Sequence, residues 1–230
     1  RVYTPPPGPS LRLRAWRQSL RLNRHTAFYA ISNEVAKEWV AFSCVDRERV
    51  RVIPNAVDRA YFSARSDRTA LRAELGLDES AKVLLFVGRL APSKGLDTLI
   101  EAVIPLLQEF NLAVVIVGTR NDPVESDLGD TESFLEELRS RIPREVEDRA
   151  VRWLGWRNDV PSLMASADVL VHPTRYEGFG LVLVEALATG LPVVSTLVGA
   201  IPEVLDGTNS VLVPPSDPVR FREAIVAVLG

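Results

Sequence analysis

The sequence predicts an α/β fold built on a doubly wound parallel sheet of six strands. From residue 81 onward, short apolar runs alternate with helical patterns, which is the order of a parallel sheet with crossover helices. The runs are apolar at nearly every position, and strands of that kind are buried on both faces of a sheet. Together the two observations place helices on both sides of one sheet.

Each element can be assigned from its own pattern. The six predicted strands are Lys82 to Val87, Leu112 to Val117, Ala150 to Leu154, Asp168 to His172, Val193 to Ser195 and Ser210 to Val213. The predicted helices are Lys94 to Phe110, Asp159 to Ala167, Gly180 to Thr189 and Asp217 to Leu229. Gly190 and Pro192 end the third of these helices, because neither residue continues a helix well.

The first 60 residues follow a different pattern. Thr26 to Ser32 and Arg49 to Pro54 read as strands, and Asn33 to Phe42 between them reads as an amphipathic helix. We therefore predict that residues 1–55 are the end of an N-terminal domain with its crossing segment, and that residues 56–230 form the main domain. The absence of an initial Met and the uncapped final helix predict a fragment or a processed chain.

Composition excludes several classes of protein. The 230 residues are 47% apolar and 25% charged, as in an ordinary globular chain, and the net charge of −3 argues against nucleic acid as a partner. The single cysteine, Cys44, excludes a disulfide framework and favours a reducing compartment. Cysteine and histidine nowhere have metal-ligand spacing, so we expect no metal and no other cofactor.

One basic stretch leaves two interpretations open. Leu11 to Arg24 carries five arginines, several apolar residues and no acid. Such a stretch can lie on an anionic membrane, or it can be a helix that packs on the preceding domain. We expect a cytoplasmic protein, with the cytoplasmic face of a membrane as one place where it could act.

Two loops carry the residues that predict chemistry. Gly88 to Gly95 follows the first strand of the sheet and contains Arg89 and Lys94, whose charges together can neutralise a diphosphate. The carboxyl ends of parallel strands meet at one edge, where open α/β sheets bind their ligands. We therefore expect these cations to lie at a ligand site.

The second loop combines glycines with carboxylates. Gly178 and Gly180 flank Phe179 and allow a ligand close to the backbone, and the amides of Gly180 and Leu181 begin a helix whose positive end favours an anion. Glu177 precedes them. Glu185 lies inside that helix among apolar residues, so it needs partners such as ribose hydroxyls or a neighbouring arginine. The two loops predict a site for a nucleotide-sugar.

These motifs together resemble one family over roughly residues 26 to 229. The chain resembles the C-terminal, donor-binding half of retaining glycosyltransferases of the GT-B fold, in the group called family 4 or "glycosyl transferases group 1". The resembling segments are Ile53 to Asp58, Phe86 to Leu90 with Lys94 and Gly95, Gly155, Asp159 to Ala167, Glu177 to Glu185, Ala188 to Val194, Gly199 to Glu203, and Asp206 with Gly207. Ala56 and Ala200 stand where the family usually has glycine, and we expect both to be tolerated.

The resemblance implies a role for each candidate residue. Gly88, Arg89 and Lys94 would bind the donor diphosphate, and the two cations would also stabilise it as it leaves. Glu177 would face the transferred sugar, with the amides of Gly178, Phe179, Gly180 and Leu181 on sugar hydroxyls and phosphate. Glu185 would hold the ribose. Gly118 and the loop from Leu154 to Arg157, with Gly155, would border the base.

The implied activity is a hexosyltransferase-type glycosyl transfer, metal-independent and retaining. The donor would be a UDP-, GDP- or ADP-sugar, and the acceptor a sugar, a glycolipid or a small molecule. The resemblance further implies that the acceptor site lies mostly in the N-terminal domain, so we expect this chain to bind donor but to transfer little sugar.

Three other functions share parts of this sequence pattern. A nicotinamide oxidoreductase requires Gly-x-Gly-x-x-Gly where this chain has Gly88 to Ser93. A nucleotide-sugar epimerase of the same fold and a non-catalytic binding module remain alternatives, although the intact cations and glutamates favour transfer. His172 ends a strand near the site without an acid partner visible in the sequence, so its contact with donor stays open.

Overall fold

The computed structural model describes residues 27–43, 45–62, 68–119 and 131–230, with the side chains of residues 43, 131 and 132 left out. Eight strands and ten α-helices are described in these ranges. The strands are β1 (Phe28–Ala30), β2 (Val50–Val52), β3 (Lys82–Val87), β4 (Leu112–Val117), β5 (Val151–Gly155), β6 (Val169–His172), β7 (Val193–Thr196) and β8 (Val211–Val213). The helices are α1 (Asn33–Ser43), α2 (Arg59–Phe62), α3 (Arg68–Glu74), α4 (Leu96–Glu109), α5 (Thr131–Ser140), α6 (Arg144–Ala150), α7 (Val160–Ser166), α8 (Leu181–Thr189), α9 (Ile201–Val204) and α10 (Pro218–Leu229).

The main sheet has six parallel strands in the order β5-β4-β3-β6-β7-β8. This confirms the predicted doubly wound α/β class, and every predicted strand lies within two residues of its observed bounds. From the central pair β3 and β6, the chain runs outward through β4 and β5 on one side and through β7 and β8 on the other. The strand order reverses between β3 and β6, so this pair is the topological switch point. Ligands of such sheets bind there, outside the carboxyl ends of the strands.

The alternation of side chains along each strand divides the core into two layers. Leu84 and Phe86 of β3 point to one face of the sheet and pack with Phe221 of α10 in one cluster. Val83 and Leu85 point to the other face and join a second cluster. Because both faces are covered, the strands can be apolar throughout, as the sequence pattern indicated.

One helix begins two residues later than predicted. The helix expected from Lys94 begins at Leu96, and Lys94 lies instead in a short 3-10 turn, Pro92–Lys94. Gly95 separates the two with a left-handed backbone at φ 69°, which interrupts the helical repeat. Lys94 therefore belongs to a turn over the edge of the sheet.

Five helices have no counterpart in the prediction. They are α2, α3, α5, α6 and α9, which contain four to ten residues each. They are short and mostly rich in charge, so their apolar periodicity is too weak to predict a helix from sequence. Tertiary packing, as of Leu71 on the second cluster, stabilises them.

A small β-α-β unit precedes the main domain. Strands β1 and β2 form a two-stranded parallel sheet of their own, with Phe28 paired to Val50, and α1 crosses between them. Ala30, Ala36 and Val50 contribute to a separate apolar cluster beneath that helix. The assignment of residues 1–55 to an N-terminal domain stays a prediction, as does the membrane contact of Leu11 to Arg24, which lie outside the described residues.

Within the described ranges, no helix is both long enough and apolar enough to cross a membrane.

Candidate functional site

The candidate site lies over the carboxyl ends of β3 and β6. Gly88 and Arg89 directly follow β3, and the 3-10 turn with Lys94 comes next on the same loop. The loop after β6 carries Glu177 and leads into α8. The two loops that the sequence singled out are thus neighbours at the switch point, since β3 and β6 pair directly.

A salt bridge joins these two loops. Lys94 Nζ lies 2.8 Å from Glu177 Oε2, and the two side chains are only 13% and 16% exposed. His172, the last residue of β6, places its Nε2 at 3.3 Å from the same Oε2 atom. The cation, the carboxylate and the imidazole therefore form one connected group in which Glu177 is the central member.

The surroundings keep Glu177 ionised. Burial by itself would raise the pKa of this carboxyl, but the hydrogen bond from His172 and the charge of Lys94 outweigh burial and lower the pKa to about 2. Burial lowers the pKa of His172 from its ordinary value, although Glu177 opposes that shift. At neutral pH the group therefore consists of an ammonium, a carboxylate and an uncharged imidazole.

Arg175 and Thr174 hold the two loops in register. The Arg175 guanidinium donates to Asp97 Oδ2 at 2.6 Å and also to the carbonyl oxygen of Pro92, in the turn that carries Lys94. The Arg175 amide and the Thr174 hydroxyl both donate to the Ser93 carbonyl oxygen, at 2.8 and 3.2 Å. Several hydrogen bonds thus fix the position of Lys94 relative to Glu177.

Close backbone contacts explain two of the glycines near the site. A Cβ on Gly95 would lie 2.0 Å from the carbonyl oxygen of Pro173, and one on Gly199 would lie 2.0 Å from that of Glu177. Both glycines also have positive φ, at 69° and 52°. The Ala200 amide donates to the same Glu177 carbonyl at 3.0 Å. The loop that carries Glu177 is therefore held on the side of β7 as well.

The glycine segment after Glu177 begins α8 as predicted. Gly180 has φ 86°, and the helix starts at Leu181, so the first free amides of α8 lie at the carboxyl edge of the sheet. Phe179 is buried, and the Gly178 carbonyl accepts a hydrogen bond of 2.8 Å from the Ser32 hydroxyl. This end of α8 is a favourable place for an anion, because its amides and its dipole both carry partial positive charge.

Glu185 lies in the middle of α8, among mostly apolar residues. It is half-buried, and within the described ranges it makes no hydrogen bond and no ion pair. Burial raises the pKa of this carboxyl above its ordinary value. The alternative of a salt bridge to a neighbouring arginine is therefore not seen in the described part of the chain.

The glycines at the ends of β3, β4 and β5 come together. The Gly118 amide donates to the Gly155 carbonyl at 2.8 Å, and a Cβ on Gly118 would lie 1.7 Å from the Gly88 carbonyl oxygen. Trp156, which follows Gly155, is 71% exposed, and the Arg157 guanidinium is paired with Asp159. These glycines line one end of the site with backbone atoms.

Among the described residues no three histidine, cysteine, aspartate or glutamate side chains are grouped so that they could hold a metal ion.

Comparison with known proteins identifies the family. A family model described as glycosyl transferases group 1 matches residues 81–230. The chain belongs to the glycosyl transferases group 1 family. Curated glycosyltransferases also align with it well upstream of residue 81, as the relatives described next show.

The relatives are longer than this chain. The D-inositol 3-phosphate glycosyltransferase of Corynebacterium efficiens is 34% identical over 192 residues, covering 80% of this chain and 43% of that protein. An uncharacterized glycosyltransferase of Methanocaldococcus jannaschii is 32% identical over 206 residues, covering 87% of this chain and 50% of that protein. The chain spans about half the length of the curated relatives that it matches.

Solved structures share the fold. Anabaena Alr3699/HepE in complex with UDP and glucose has a TM-score of 0.79 at 28% identity, covering 93% of this chain and 56% of that one. Sucrose-phosphate synthase of Thermosynechococcus elongatus has a TM-score of 0.73 at 29% identity, covering 94% and 52%. The six-stranded sheet therefore matches the Rossmann-like domain of GT-B glycosyltransferases.

Two places differ from the usual group 1 pattern. Ala200 has φ −84°, an ordinary right-handed conformation, and Ala56 is not among the described residues with positive φ. Neither methyl group therefore meets backbone strain. The positive φ that favours glycine occurs one residue earlier, at Gly199.

The structure brings some of the predicted residues together, whereas their roles stay predictions. Lys94 and Glu177 are in contact, and Gly88, Gly118 and Gly155 converge. Glu185 has no hydrogen bond or ion pair with any of them in the described ranges. Arg89 is half-buried on the Gly88 loop. Arg175 and His172 were not assigned to the site. Their positions at and just after the end of a buried strand could have predicted that they lie near it.

Proposed function

We propose that this chain is the donor-binding half of a retaining glycosyltransferase that moves a sugar from a nucleotide-diphosphate sugar to an acceptor hydroxyl. The observation that carries the proposal is the Lys94–Glu177 pair at the switch point, where one loop supplies a cation and the other a carboxylate at 2.8 Å. A donor of this class has both an anionic diphosphate and neutral hydroxyls. In this pair, Lys94 can bind the diphosphate and Glu177 can accept hydrogen bonds from the hydroxyls.

The diphosphate lies, in this proposal, between Arg89, Lys94 and the start of α8. Lys94 Nζ uses one of its three protons on Glu177, and in the described residues the other two have no protein acceptor. The amides at the start of α8 add partial positive charge from the other loop. Phosphate oxygens complete the coordination of the ammonium without breaking its salt bridge.

The rest of the donor follows from the positions of the carboxylates. Glu177 accepts hydrogen bonds from the transferred sugar, and Glu185 accepts them from the ribose, which supplies the partners that its half-buried position requires. The base lies, in this proposal, beside the glycines at the ends of β3 to β5, Gly88, Gly118 and Gly155. A Cβ on Gly155 would meet nothing within 4 Å, so there is open space at this position.

The mechanism uses electrostatic stabilisation of the leaving group. As the bond between sugar and phosphate breaks, positive charge develops on the sugar ring and negative charge on the diphosphate. The two preorganised cations and the helix start stabilise that negative charge, so we propose a reaction that needs no metal ion. A leaving oxygen that takes the acceptor proton on the same face makes a protein nucleophile unnecessary, and Glu177 then orients the sugar.

The donor proposed first is a UDP-sugar. Alr3699/HepE, at 28% identity, has been solved in complex with UDP and with UDP-glucose. GDP- and ADP-sugars are the alternatives for a binding panel. The acceptor, a sugar, a glycolipid or a small molecule, would bind mainly to parts of the protein outside the donor domain.

Binding of UDP and of uridine to matched variants tests the donor site. We expect Lys94→Ala and Arg89→Ala each to raise the Kd for UDP about tenfold or more, because a charge-assisted contact to phosphate is lost. The Kd for uridine should change little, since it has no phosphate. Isothermal titration calorimetry on the purified chain measures both constants.

Lys82→Ala is the matched control. Lys82 begins β3 at the opposite edge of the sheet, 4.0 Å from Asp168, so its removal deletes the same charge far from the site. It should leave both affinities unchanged. Equal losses for UDP and uridine in the Lys94 and Arg89 variants would contradict their assignment to the diphosphate, and absence of saturable UDP, GDP or ADP binding to the native chain would contradict the proposed function.

A further inference from the structure

His172 occupies a position where a polar ring needs a reason. It is 2% exposed at the end of β6, and the three preceding strand residues, Val169, Leu170 and Val171, are apolar and buried. A buried imidazole without hydrogen bonds is destabilising, and an apolar side chain would suit this position better. The contacts of the ring show what it does there.

Among the described residues, the ring makes one hydrogen bond. Its Nε2 lies 3.3 Å from Glu177 Oε2, whereas Nδ1 is buried and has no partner among the described residues. The Ser195 hydroxyl, at the paired position of β7, donates to the backbone carbonyl of His172 and not to its ring. A neutral imidazole with its proton on Nε2 is the form that serves this contact, since a carboxylate can only accept.

The two donors to Glu177 use the same oxygen. Lys94 Nζ and His172 Nε2 both contact Oε2, from the β3 loop and from β6. In the described part of the chain, Oε1 has no hydrogen-bond partner and is not among the buried unpaired atoms. Two donors from different directions fix the rotation of the carboxylate, and they leave Oε1 as the oxygen that can accept from a ligand.

We propose that His172 is a positioning residue that orients Glu177 toward the sugar of the donor. This inference rests on the proposed function, because it assumes that Glu177 contacts the transferred sugar. Lys94 holds the carboxylate to the diphosphate side, and His172 sets its rotation. Loss of His172 therefore weakens recognition of the sugar while recognition of the diphosphate, which depends on Lys94 and Arg89, persists.

The test compares UDP-glucose and UDP on two His172 variants. His172→Phe keeps a planar aromatic ring, although a larger one, but has no donor. The Kd for UDP-glucose should therefore rise about tenfold while that for UDP changes less than about twofold. His172→Gln places an amide N–H about as far from the backbone as Nε2. It should restore most of the affinity for UDP-glucose.

Ser195→Ala is the control for a purely structural effect. It removes one buried hydrogen bond beside His172 without touching Glu177, so it should alter the two affinities equally or not at all. Thermal melts of all variants report folding. Equal losses for UDP and UDP-glucose in His172→Phe, or no recovery in a folded His172→Gln, would overturn the proposal.

The native chain gives an independent measurement if His172→Phe fails to fold. Nitrogen-15 NMR of the histidine ring should show a neutral Nε2–H tautomer near pH 7. A proton on Nδ1 instead would overturn the proposal. The proposed function fails if the native chain binds neither UDP nor UDP-glucose, and no GDP- or ADP-sugar. If the native chain binds these ligands and His172→Phe keeps the native ratio of the affinities for UDP-glucose and UDP, only this inference fails.

Discussion

Glu185 is the residue at which stability and the proposed function conflict most directly. A half-buried carboxylate without partners in the described part of the chain is destabilising when it is ionised, and burial raises its pKa accordingly. An apolar or uncharged residue would suit α8 better. Residues that weaken the fold in this way are common at ligand sites.

We therefore expect Glu185→Gln to stabilise the chain and to weaken donor binding. The pKa of Glu185 is higher in the folded state than in the unfolded state. Below the unfolded-state pKa the carboxyl is protonated in both states, so it does not destabilise the fold. As the pH rises through the folded-state pKa, ionisation of Glu185 destabilises the fold. The variant should melt higher than the native chain at pH 8 and equally at pH 4. A gain of about 1 kcal/mol would raise Tm by about 2–4 °C in a domain of this size.

The control for Glu185→Gln is Glu101→Gln, which changes an exposed carboxylate on α4. This control should neither stabilise the chain nor weaken donor binding. Calorimetric melts at the two pH values and titration with UDP measure the two effects. A Glu185→Gln variant that melts lower at pH 8 would show that the carboxylate is stabilised by a partner.

The opposite edge of the sheet shows charges that are structural. Arg72 is buried, yet it donates to Asp168 at 3.0 Å and to the carbonyl oxygens of Glu79 and Ser166. Asp168 also accepts from Arg68 at 2.8 Å. Here every charge has protein partners, whereas Glu185 has none in the described ranges. That difference separates a structural cluster from a candidate ligand site.

At the scale of elements, the turns after the strands decide the shape of the site. Gly199 follows β7 and approaches the Glu177 carbonyl so closely that no side chain fits. Gly207 also has a positive φ, at 70°, but a Cβ there would meet nothing within 4 Å. A comparison of the two positions therefore distinguishes the effect of a positive φ from the effect of a close contact between a side chain and the backbone.

Gly199→Ala should be much more destabilising than Gly207→Ala. Both substitutions place alanine in a left-handed conformation, which costs about 1–2 kcal/mol. Only Gly199→Ala also displaces the Glu177 loop, so it alone should lower the affinity for UDP-glucose, several-fold or more. Urea unfolding and titration measure the two effects, and similar behaviour of the two variants would contradict the close approach.

Elements could be predicted from sequence where burial alone determines them. The strands β3, β4 and β6 are buried on both faces, so their apolar runs gave bounds within a residue. The helices α3, α5 and α6 depend on a few tertiary contacts, and their patterns are dominated by charge. Lys94 was assigned to a helix because the break at Gly95 depends on the nearby Pro173 carbonyl, which is distant in sequence.

At the scale of the whole molecule, the unit formed by β1, α1 and β2 contacts the site loop. The Ser32 hydroxyl donates to the Gly178 carbonyl, and the Asn33 amide donates to Glu203 at 2.9 Å. The Tyr176 hydroxyl donates to Glu38 at 2.8 Å, and burial with this contact raises the pKa of Tyr176 to about 12. The glycine segment of the proposed donor site is thus supported by this unit.

We expect the purified chain to bind a nucleotide-sugar and to transfer little of it. The chain spans about half the length of its curated relatives, and the proposal assigns most of the acceptor site to the other half. Incubation with radiolabelled UDP-glucose and a panel of acceptors measures transfer, with hydrolysis to UDP as the background. Turnover well above that background would show that this half contains a complete active site.

The sequence by itself determined the family, the parallel sheet and the two loops that carry Arg89, Lys94, Glu177 and Glu185. It could do so because continuous apolar runs and short glycine motifs depend on local chemistry. The tertiary structure alone decided that Lys94 and Glu177 share a salt bridge, that His172 and Arg175 support them, and that Glu185 has no partner in the described part of the chain. These are contacts between residues far apart along the chain or on different elements, and only the folded backbone brings their atoms within hydrogen-bonding distance.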